Sequence, residues 1–224
     1  MKEAWNKGLT KYNSSGLARI AELRRKNNNF ATWQAVHPVH YALFKYSNDL
    51  AEFYGNMLGD GCIEQLPRTE KLSVAFNAKE KDHIKRIKKI IEKIFKKVPS
   101  ERKLKGKSCI QIYIYQKYIS RRLKFPIGIK KYHELKIPHW IKKDQRFLIR
   151  CLKGLFETDG SWKIDPKYNT NVINYVSIHN GLLDDICNEL CKLGFYARRT
   201  TKRVTLNRRA ETEKFAKLIK FRQY

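Results

Sequence analysis

No apolar run in the sequence nears the length of a membrane span, which takes about 20 residues. The start, MKEAWNKGLTKYNSSG, lacks the apolar stretch of a secretory signal. The expectation is a protein that stays inside the cell, in a bacterial or phage cytoplasm or in an organelle. Cysteine is scarce and odd in number, with Cys62, Cys109, Cys151, Cys187 and Cys191 scattered along the chain. That argues against a disulfide framework and for reduced thiols. Cys187 and Cys191 lie one helical turn apart, but no second ligand pair follows at zinc-finger spacing, so they read as half-buried helix cysteines. Negative charge is the third shortage: 21 Asp and Glu face 48 Lys and Arg, a net charge of +27.

What is present can fold. With 42% apolar and 12% aromatic residues, the 224-residue chain can build one large domain or two modest ones. A surface this positive repels itself unless something anionic covers it. Nucleic acid is the commonest such partner, because each neutralised phosphate releases a condensed counterion. An anionic membrane would want a basic amphipathic helix, and Lys79 to Lys97 (KEKDHIKRIKKIIEKIFKK) carries the charge for one. Its Ile84, Ile87, Ile90, Ile91, Ile94 and Phe95 recur at helical spacing as a core-facing stripe with a solvated basic back, so no membrane partner is expected. His83, His133 and His139 share no spacing and read as structural or surface residues.

The chain repeats itself. Asp49–Gly61 (DLAEFYGNMLGDG) and Gln145–Gly160 (QRFLIRCLKGLFETDG) read alike, with their Asp-Gly pairs 99 positions apart. After Gly61 come CIEQL, an alternating KLSVAFN, the charged helix, two β-like runs (ERKLK and SCIQIYIY) and a short helical KYISRRLKF that stops at Pro126. After Gly160 come SWKID, NVINYVSIH, a helix from about Gly181 to Leu193, then FYARRT, RVTLN and a last helix from about Ala210. Each half therefore reads helix–strand–strand–helix–strand–strand–helix.

Asp49 and Asp144 are expected to cap the two matched helices. Gly55 and Gly59 lie one turn apart on one face, as do Gly154 and Thr158. Glycine inside a helix costs about 1 kcal/mol relative to alanine, so a repeated stripe of it predicts a close approach of another backbone, the other repeat's helix. Gly61 and Gly160 are expected in the left-handed position past a helix end. The aspartate before each is disfavoured at the negative end of a helix dipole. Two such carboxylates brought together also repel. A divalent cation removes both objections, and Mg²⁺ is the natural one, since it takes a carboxylate or two and fills its other positions with water and phosphate oxygens.

At these residues the chain resembles the LAGLIDADG homing endonucleases. The motif stands as FYGNMLGDG over Phe53–Gly61 and as LKGLFETDG over Leu152–Gly160. The third-position glycine and the closing Asp-Gly are present in both, while the sixth position, acidic in the consensus, is Leu58 in one and Glu157 in the other. The resemblance runs from about Asn48 to the C-terminus. It implies an α+β fold in which two pseudo-symmetric αββαββα repeats form a saddle of antiparallel sheets, with the motif helices packed at its centre. It implies three parts: a basic N-terminal extension over 1–47 and repeats over 48–143 and 144–224. It also implies a monomer, without an obligate protein partner, that cuts double-stranded DNA across the minor groove of a long asymmetric site and leaves short 3′ overhangs. Asp60 and Asp159 would hold Mg²⁺, with Mn²⁺ also accepted, and the carbonyls of Gly59 and Thr158 would be further ligands. Lys105, Lys163 and Lys202 are candidates for ordering the water around the scissile phosphates.

Strand alternation divides the residues of such sheets. In KLSVAFN it puts Leu72, Val74 and Phe76 inward and Lys71, Ser73, Ala75 and Asn77 toward DNA. In SCIQIYIY the groove face is Gln111, Tyr113 and Tyr115. In NVINYVSIH, Val172, Val176 and Ile178 are expected inward, with Tyr175, Ser177 and His179 outward. In the last two strands Tyr196, Arg198, Thr200, Arg203, Thr205 and Asn207 face out, opposite Val204 and Leu206. Arg, Gln and Asn are the side chains that make bidentate contacts to purine edges.

Ahead of the repeats, WNKGLTK is similar to short accessory DNA-contact segments of intron-encoded endonucleases. SGLARIAELRRKNN reads as a basic helix, followed by a loop with Trp33 and a His37-Pro-Val-His40 turn. This part is an arm on flanking DNA or a piece packed on the first repeat. Two other functions stay open: a splicing maturase with host intron RNA as its partner, and a DNA-binding regulator that does not cleave. Retention of both aspartates favours cleavage over either.

Overall fold

The computed structural model describes residues 8–26, 40–104, 106, 108–165, 167 and 170–221. Two compact units meet in sequence between Ala42 and Leu43. In the first, helix α1 (Ser15–Lys26) follows a turn at Gly8–Asn13 and buries none of its residues. Trp5, Asn6 and Lys7, the Trp33 loop and His37-Pro-Val of the expected turn lie outside the described residues.

The second unit contains both repeats. The first runs α2 (Asn48–Gly59), β1 (Gly61–Gln65), β2 (Glu70–Asn77), α3 (Lys81–Phe95), β3 (Ser100–Lys103), β4 (Cys109–Gln116) and the short α4 (Ile119–Leu123). After a single 3₁₀ turn (Lys130–Tyr132) and α5 (His139–Lys142), the second runs α6 (Gln145–Asp159), β5 (Gly160–Asp165), β6 (Thr170–Val176), α7 (Asn180–Lys192), β7 (Arg198–Thr200), β8 (Arg203–Leu206) and α8 (Arg209–Ile219). Each repeat makes one four-stranded antiparallel sheet, ordered β1-β2-β4-β3 and β5-β6-β8-β7. The architecture is the expected α+β arrangement of two like halves. Among the described residues no helix is long and apolar enough to cross a membrane.

Local chemistry sets the helix starts. Asp144 caps α6, its carboxylate accepting from the Arg146 N–H at 2.8 Å. In α2 the cap is Ser47, whose Oγ accepts from Leu50 N at 3.2 Å, and not Asp49 as expected. Asp49 lies in the first turn, where a carboxylate complements the helix dipole, and it pairs with Lys93. The glycines after the motifs are also used differently from the expectation. Gly160 has extended backbone (φ −86°, ψ 151°), and neither it nor Gly61 has positive φ. A Cβ on Gly61 would lie 2.5 Å from Met57 Cα, and one on Gly160 would lie 2.7 Å from Phe156 Cα. Each chain leaves its helix directly into a strand, folding back so tightly that only hydrogen fits.

The motif helices cross with their backbones in contact. A Cβ on Gly55 would overlap the Cys151 carbonyl oxygen and lie 2.9 Å from Leu155 N; one on Gly154 would overlap the Glu52 carbonyl oxygen and lie 2.8 Å from Asn56 N. Around this crossing the inner faces of both sheets are filled. Leu72, Val74, Ile112 and Ile114 meet Ile87, Ile91 and Phe95 of α3 in one half. In the other, Ile173, Tyr175, Val204 and Leu206 meet Leu183, Ile186 and Leu190 of α7, and Phe156 meets Phe215 edge to face at 4.9 Å. The linker between repeats is tied to the second: Asp185 accepts from Ile137 N at 2.8 Å and Lys142 Nζ at 2.9 Å, with Leu135 and Ile137 buried.

Gly154→Ala tests the crossing by sign. In an open helix the change gains about 1 kcal/mol. Here it forces the backbones apart, and unfolding in urea should show a loss of about 2 kcal/mol or more.

Candidate active site

Because the helices touch at Gly55 and Gly154, their C-terminal ends run out side by side. A Cβ on Gly59 would overlap the Thr158 side chain, with its Cβ at 2.6 Å, and would lie 3.2 Å from Asp159 Oδ2. Thr158 Oγ1 is turned back into its own helix, donating to Leu155 O at 2.8 Å. Asp60 closes α2 and Asp159 closes α6, so one carboxylate from each repeat arrives at the crossing. Burial raises the Asp159 carboxyl to about 6, and the charge of Asp60 adds to the rise; Lys130 and the Tyr175 hydroxyl oppose it.

Lys130 was not singled out by the sequence. It lies 70 positions past Asp60, in the linker, just after the left-handed Gly128 (φ +84°). Its Nζ donates to the carbonyl of Gly59, and reaches Leu58 O at 3.0 Å and Met57 O at 3.3 Å. These are the carbonyls that a helix end leaves without intrahelical partners. Burial pushes the ammonium below the usual lysine range, while the Asp159 and Asp60 carboxylates hold it up. A cation is thus drawn to the spot that the two motif ends make negative. The only signal for it in sequence would have been a lysine in a linker, one among 48 basic residues.

The expected auxiliary lysines are placed elsewhere. Lys163 is exposed on the outer face of β5, and Lys202 is exposed in the β7–β8 turn. Neither is among the charges that set the Asp159 carboxyl; Lys130 is. Lys105 lies outside the described residues.

One strand has the opposite phase to that expected. Tyr175 is fully buried, with its ring against Phe156 at 5.4 Å, whereas Val176 and Ile178 are exposed. The reason is pairing: Ile173 sits opposite Leu206 and Tyr175 opposite Val204, so all four share the inner face. The tyrosine's hydroxyl lies beside the Asp159 carboxylate, in a geometry short of a full hydrogen bond. Tyr175 is therefore beneath the site and cannot contact a duplex on the outer face. Val172 and Asn174 turn outward in its place. Ser177 and His179 follow the end of β6, and His179 precedes α7 as its N-cap residue.

On the first sheet the phase is as expected, but two outer residues are covered. Lys71 and Ser73 are 6% and 2% exposed; Lys71 Nζ donates to Glu64 Oε1 at 3.2 Å, beside the Tyr113 ring. Neither can reach a base as the face stands. Asn77, Gln111, Tyr113 and Tyr115 retain access, and Gln111 is joined by Arg102, whose Nε donates to its Oε1 at 2.9 Å. On the second sheet Arg198, Thr200, Arg203 and Asn207 are exposed, and half-buried Thr205 donates to Asn174 Oδ1 at 2.8 Å.

The raised carboxyl gives a metal-free test. Asp159 should titrate by carbon NMR with a midpoint near 6 against an ordinary 3.8, and Asp60→Asn should lower that midpoint. A proton held more tightly in the folded state is stability that disappears as the pH rises between those two values. Asp159→Asn should remove that part of the pH dependence.

Among known proteins, residues 146–220 match the family model of the LAGLIDADG-like domain. No curated protein matches the chain. The homing endonuclease I-DmoI, solved in complex with DNA and Mn, superposes over 79% of this chain and 98% of its own, with a TM-score of 0.54 and 14% identity. I-WcaI, bound to its DNA recognition sequence, superposes over 80% and 83% (TM-score 0.53, 19% identity). The N-terminal LAGLIDADG domain of DUF199/WhiA does so over 80% and 85% (TM-score 0.52, 15% identity). With two motifs, two like sheets and a crossing of motif helices on one polypeptide, the chain has the fold of the single-chain, two-motif LAGLIDADG proteins, and its residues 146–220 match the LAGLIDADG-like domain.

Proposed function

We propose that this protein is a metal-dependent endonuclease that cuts both strands of duplex DNA at a long asymmetric site, across the minor groove, leaving short 3′ overhangs. The observation that carries the reading is the meeting of Asp60 and Asp159, one from each repeat, at the helix crossing. A protein that only bound DNA would gain nothing from holding two repelling carboxylates there.

The donors at the crossing suit a hard cation: two carboxylates, backbone carbonyls, and a position that already attracts the Lys130 ammonium. Asp60 and Asp159, with the carbonyls of Gly59 and Thr158, would hold Mg²⁺ or Mn²⁺, which supplies charge neutralisation at the phosphate and an activated water. Lys130 presents a fixed positive charge to the same place, where negative charge develops on the phosphoryl oxygens. Its Leu58 and Met57 carbonyl partners would keep the ammonium in position as substrate enters, leaving the Gly59 carbonyl to the metal. Base reading falls to Asn77, Arg102, Gln111, Tyr113 and Tyr115 on one sheet. On the other it falls to Lys163, Asn174, Arg198, Thr200, Arg203, Thr205 and Asn207. The +27 charge supplies the sequence-independent part of the affinity. Helix α1, with Arg24, Arg25 and Lys26 in its last turn, is proposed as an arm on flanking DNA.

Cleavage of a randomised duplex library with Mg²⁺, followed by sequencing of the ends, tests the reading. Asp60→Asn and Asp159→Asn should each abolish the double-strand cut and retain binding. Lys130→Met should slow it by about a hundredfold or more. Binding by the unaltered chain without any cut, in Mg²⁺ and in Mn²⁺, would instead support the DNA-binding regulator.

A further inference from the structure

Helix α3 packs on the inner side of the first sheet: its His83 ring meets Phe76 at 4.8 Å, and Gln116 of β4 donates to its Phe95 carbonyl at 3.3 Å. Its other side therefore faces away from the outer sheet face that carries Gln111, Tyr113 and Tyr115. That far side exposes Lys81, Lys85, Lys89 and Lys93 at four-residue intervals, with Lys96 and Lys97 beyond the helix end. Four residues advance a helix by about 6 Å, so the row is a ladder of charges along roughly 18 Å. Lys93 pairs with Asp49; Lys81, Lys85 and Lys89 make no ion pair among the described residues. At the far end Lys89, Lys93, Lys96 and Lys97 line a concavity of about 530 Å³ with Glu92 and Val98.

The second repeat serves as an internal control. Its equivalent helix, α7, exposes only Asp184 and Lys192 as charges, with Asp185 held by the linker and Glu189 buried. Were the lysines needed only to keep such a helix soluble, α7 would not manage with one exposed charge of each sign. The charge is specific to the first repeat, on a side that a duplex seated on the sheets cannot touch.

We propose that the exposed side of α3 is a second binding surface for duplex DNA, engaging the backbone of a segment other than the one on the sheets. This rests on the duplex-binding reading above. Lysines are point charges suited to a regular array of phosphates. A duplex offers about one charge per 1.7 Å of its axis. The exposed residues of α3 include no aromatic ring on which an unstacked base could lie, which favours a duplex backbone over single-stranded RNA. With one duplex on the sheets and another on α3, the protein can pass directly between DNA segments without entering solution.

Direct transfer has a kinetic signature. A complex of the full chain with a labelled short duplex is mixed with rising amounts of the same duplex unlabelled, and the dissociation rate is followed by anisotropy. With a second surface the rate rises in proportion to competitor. In Lys81→Glu/Lys85→Glu/Lys89→Glu, and in the matching Gln triple, the first duplex still binds but the rate loses its dependence on competitor. A flat rate in the unaltered chain, or a rise that survives in both triples, overturns the proposal. Acceleration by single-stranded RNA or by phosphatidylserine vesicles but not by duplex DNA overturns it as well, in favour of that partner. Failure of the labelled duplex to bind at all would strike the proposed function itself, which is a separate result.

Discussion

At Gly55 and Gly154 the backbones of α2 and α6 meet with no side chain between them, and the position of nearly every other functional group follows from that contact. Because α2 and α6 touch there, Gly59 lies against Thr158 one turn later, and Asp60 and Asp159 emerge together. A wider crossing would expose Asp159, whose burial is the main cause of its raised carboxyl, and would separate it from Asp60, which adds to the rise. Charge fixes the crossing laterally as well. Buried Glu52 of α2 is approached by Arg86 Nε at 3.0 Å and by Arg150 of α6 at 3.2 Å. Buried Glu157 of α6 is paired with Arg86 and with Lys153 at 3.1 Å. Removing one partner from such a buried set leaves an uncompensated charge, which is far more costly than the set is stabilising.

The site therefore holds negative charge where the fold least favours it, at two helix C-termini, inside a molecule that is otherwise strongly positive. The surrounding cores over-determine this placement: Phe53 and Phe95 pack edge to face at 5.6 Å in one half, and in the other Phe156 lies between Tyr175, tilted at 5.4 Å, and Phe215, edge to face at 4.9 Å. Lys130 offsets part of the repulsion, and burial first, with Asp60 second, keeps the Asp159 carboxyl raised.

The repeated Asp-Gly pairs, the glycine stripes and the order of strands were legible because each leaves a local mark: a fixed spacing, a costly residue, an alternation. The phase of NVINYVSIH was not, because Val172, Ile173, Tyr175, Val176 and Ile178 are all apolar enough to lie on either face. The phase of β8 would have settled it, since Val204 and Leu206 face inward and the antiparallel partner must follow. The cap on α2 was misplaced by two residues because Ser47 and Asp49 are both good caps, and only Ser47 has extended backbone (φ −158°, ψ 162°). Lys130 left no local mark at all. Its role arises from a linker that returns to the helix end, where Gly128 N donates to Ile63 O at 2.8 Å, and that closure is tertiary.

The same crossing shows why two unlike repeats belong on one chain. Counting along the motif helices, Glu52 corresponds to Cys151, Tyr54 to Lys153, Leu58 to Glu157 and Gly59 to Thr158. No acid or base of the buried network has its like in the other half. Arg86, from the first repeat, spans Glu52 of its own half and Glu157 of the other. Two copies of the first repeat would supply two such arginines and no Glu157, and two copies of the second would supply Glu157 and Lys153 with no Arg86. Each half is therefore complementary to the other and not to itself. Freed from twofold symmetry, the two outer faces differ too, with Gln111, Tyr113 and Tyr115 on one and Arg198, Thr200 and Arg203 on the other. A self-pairing dimer would be bound to present one face twice, and this chain is not.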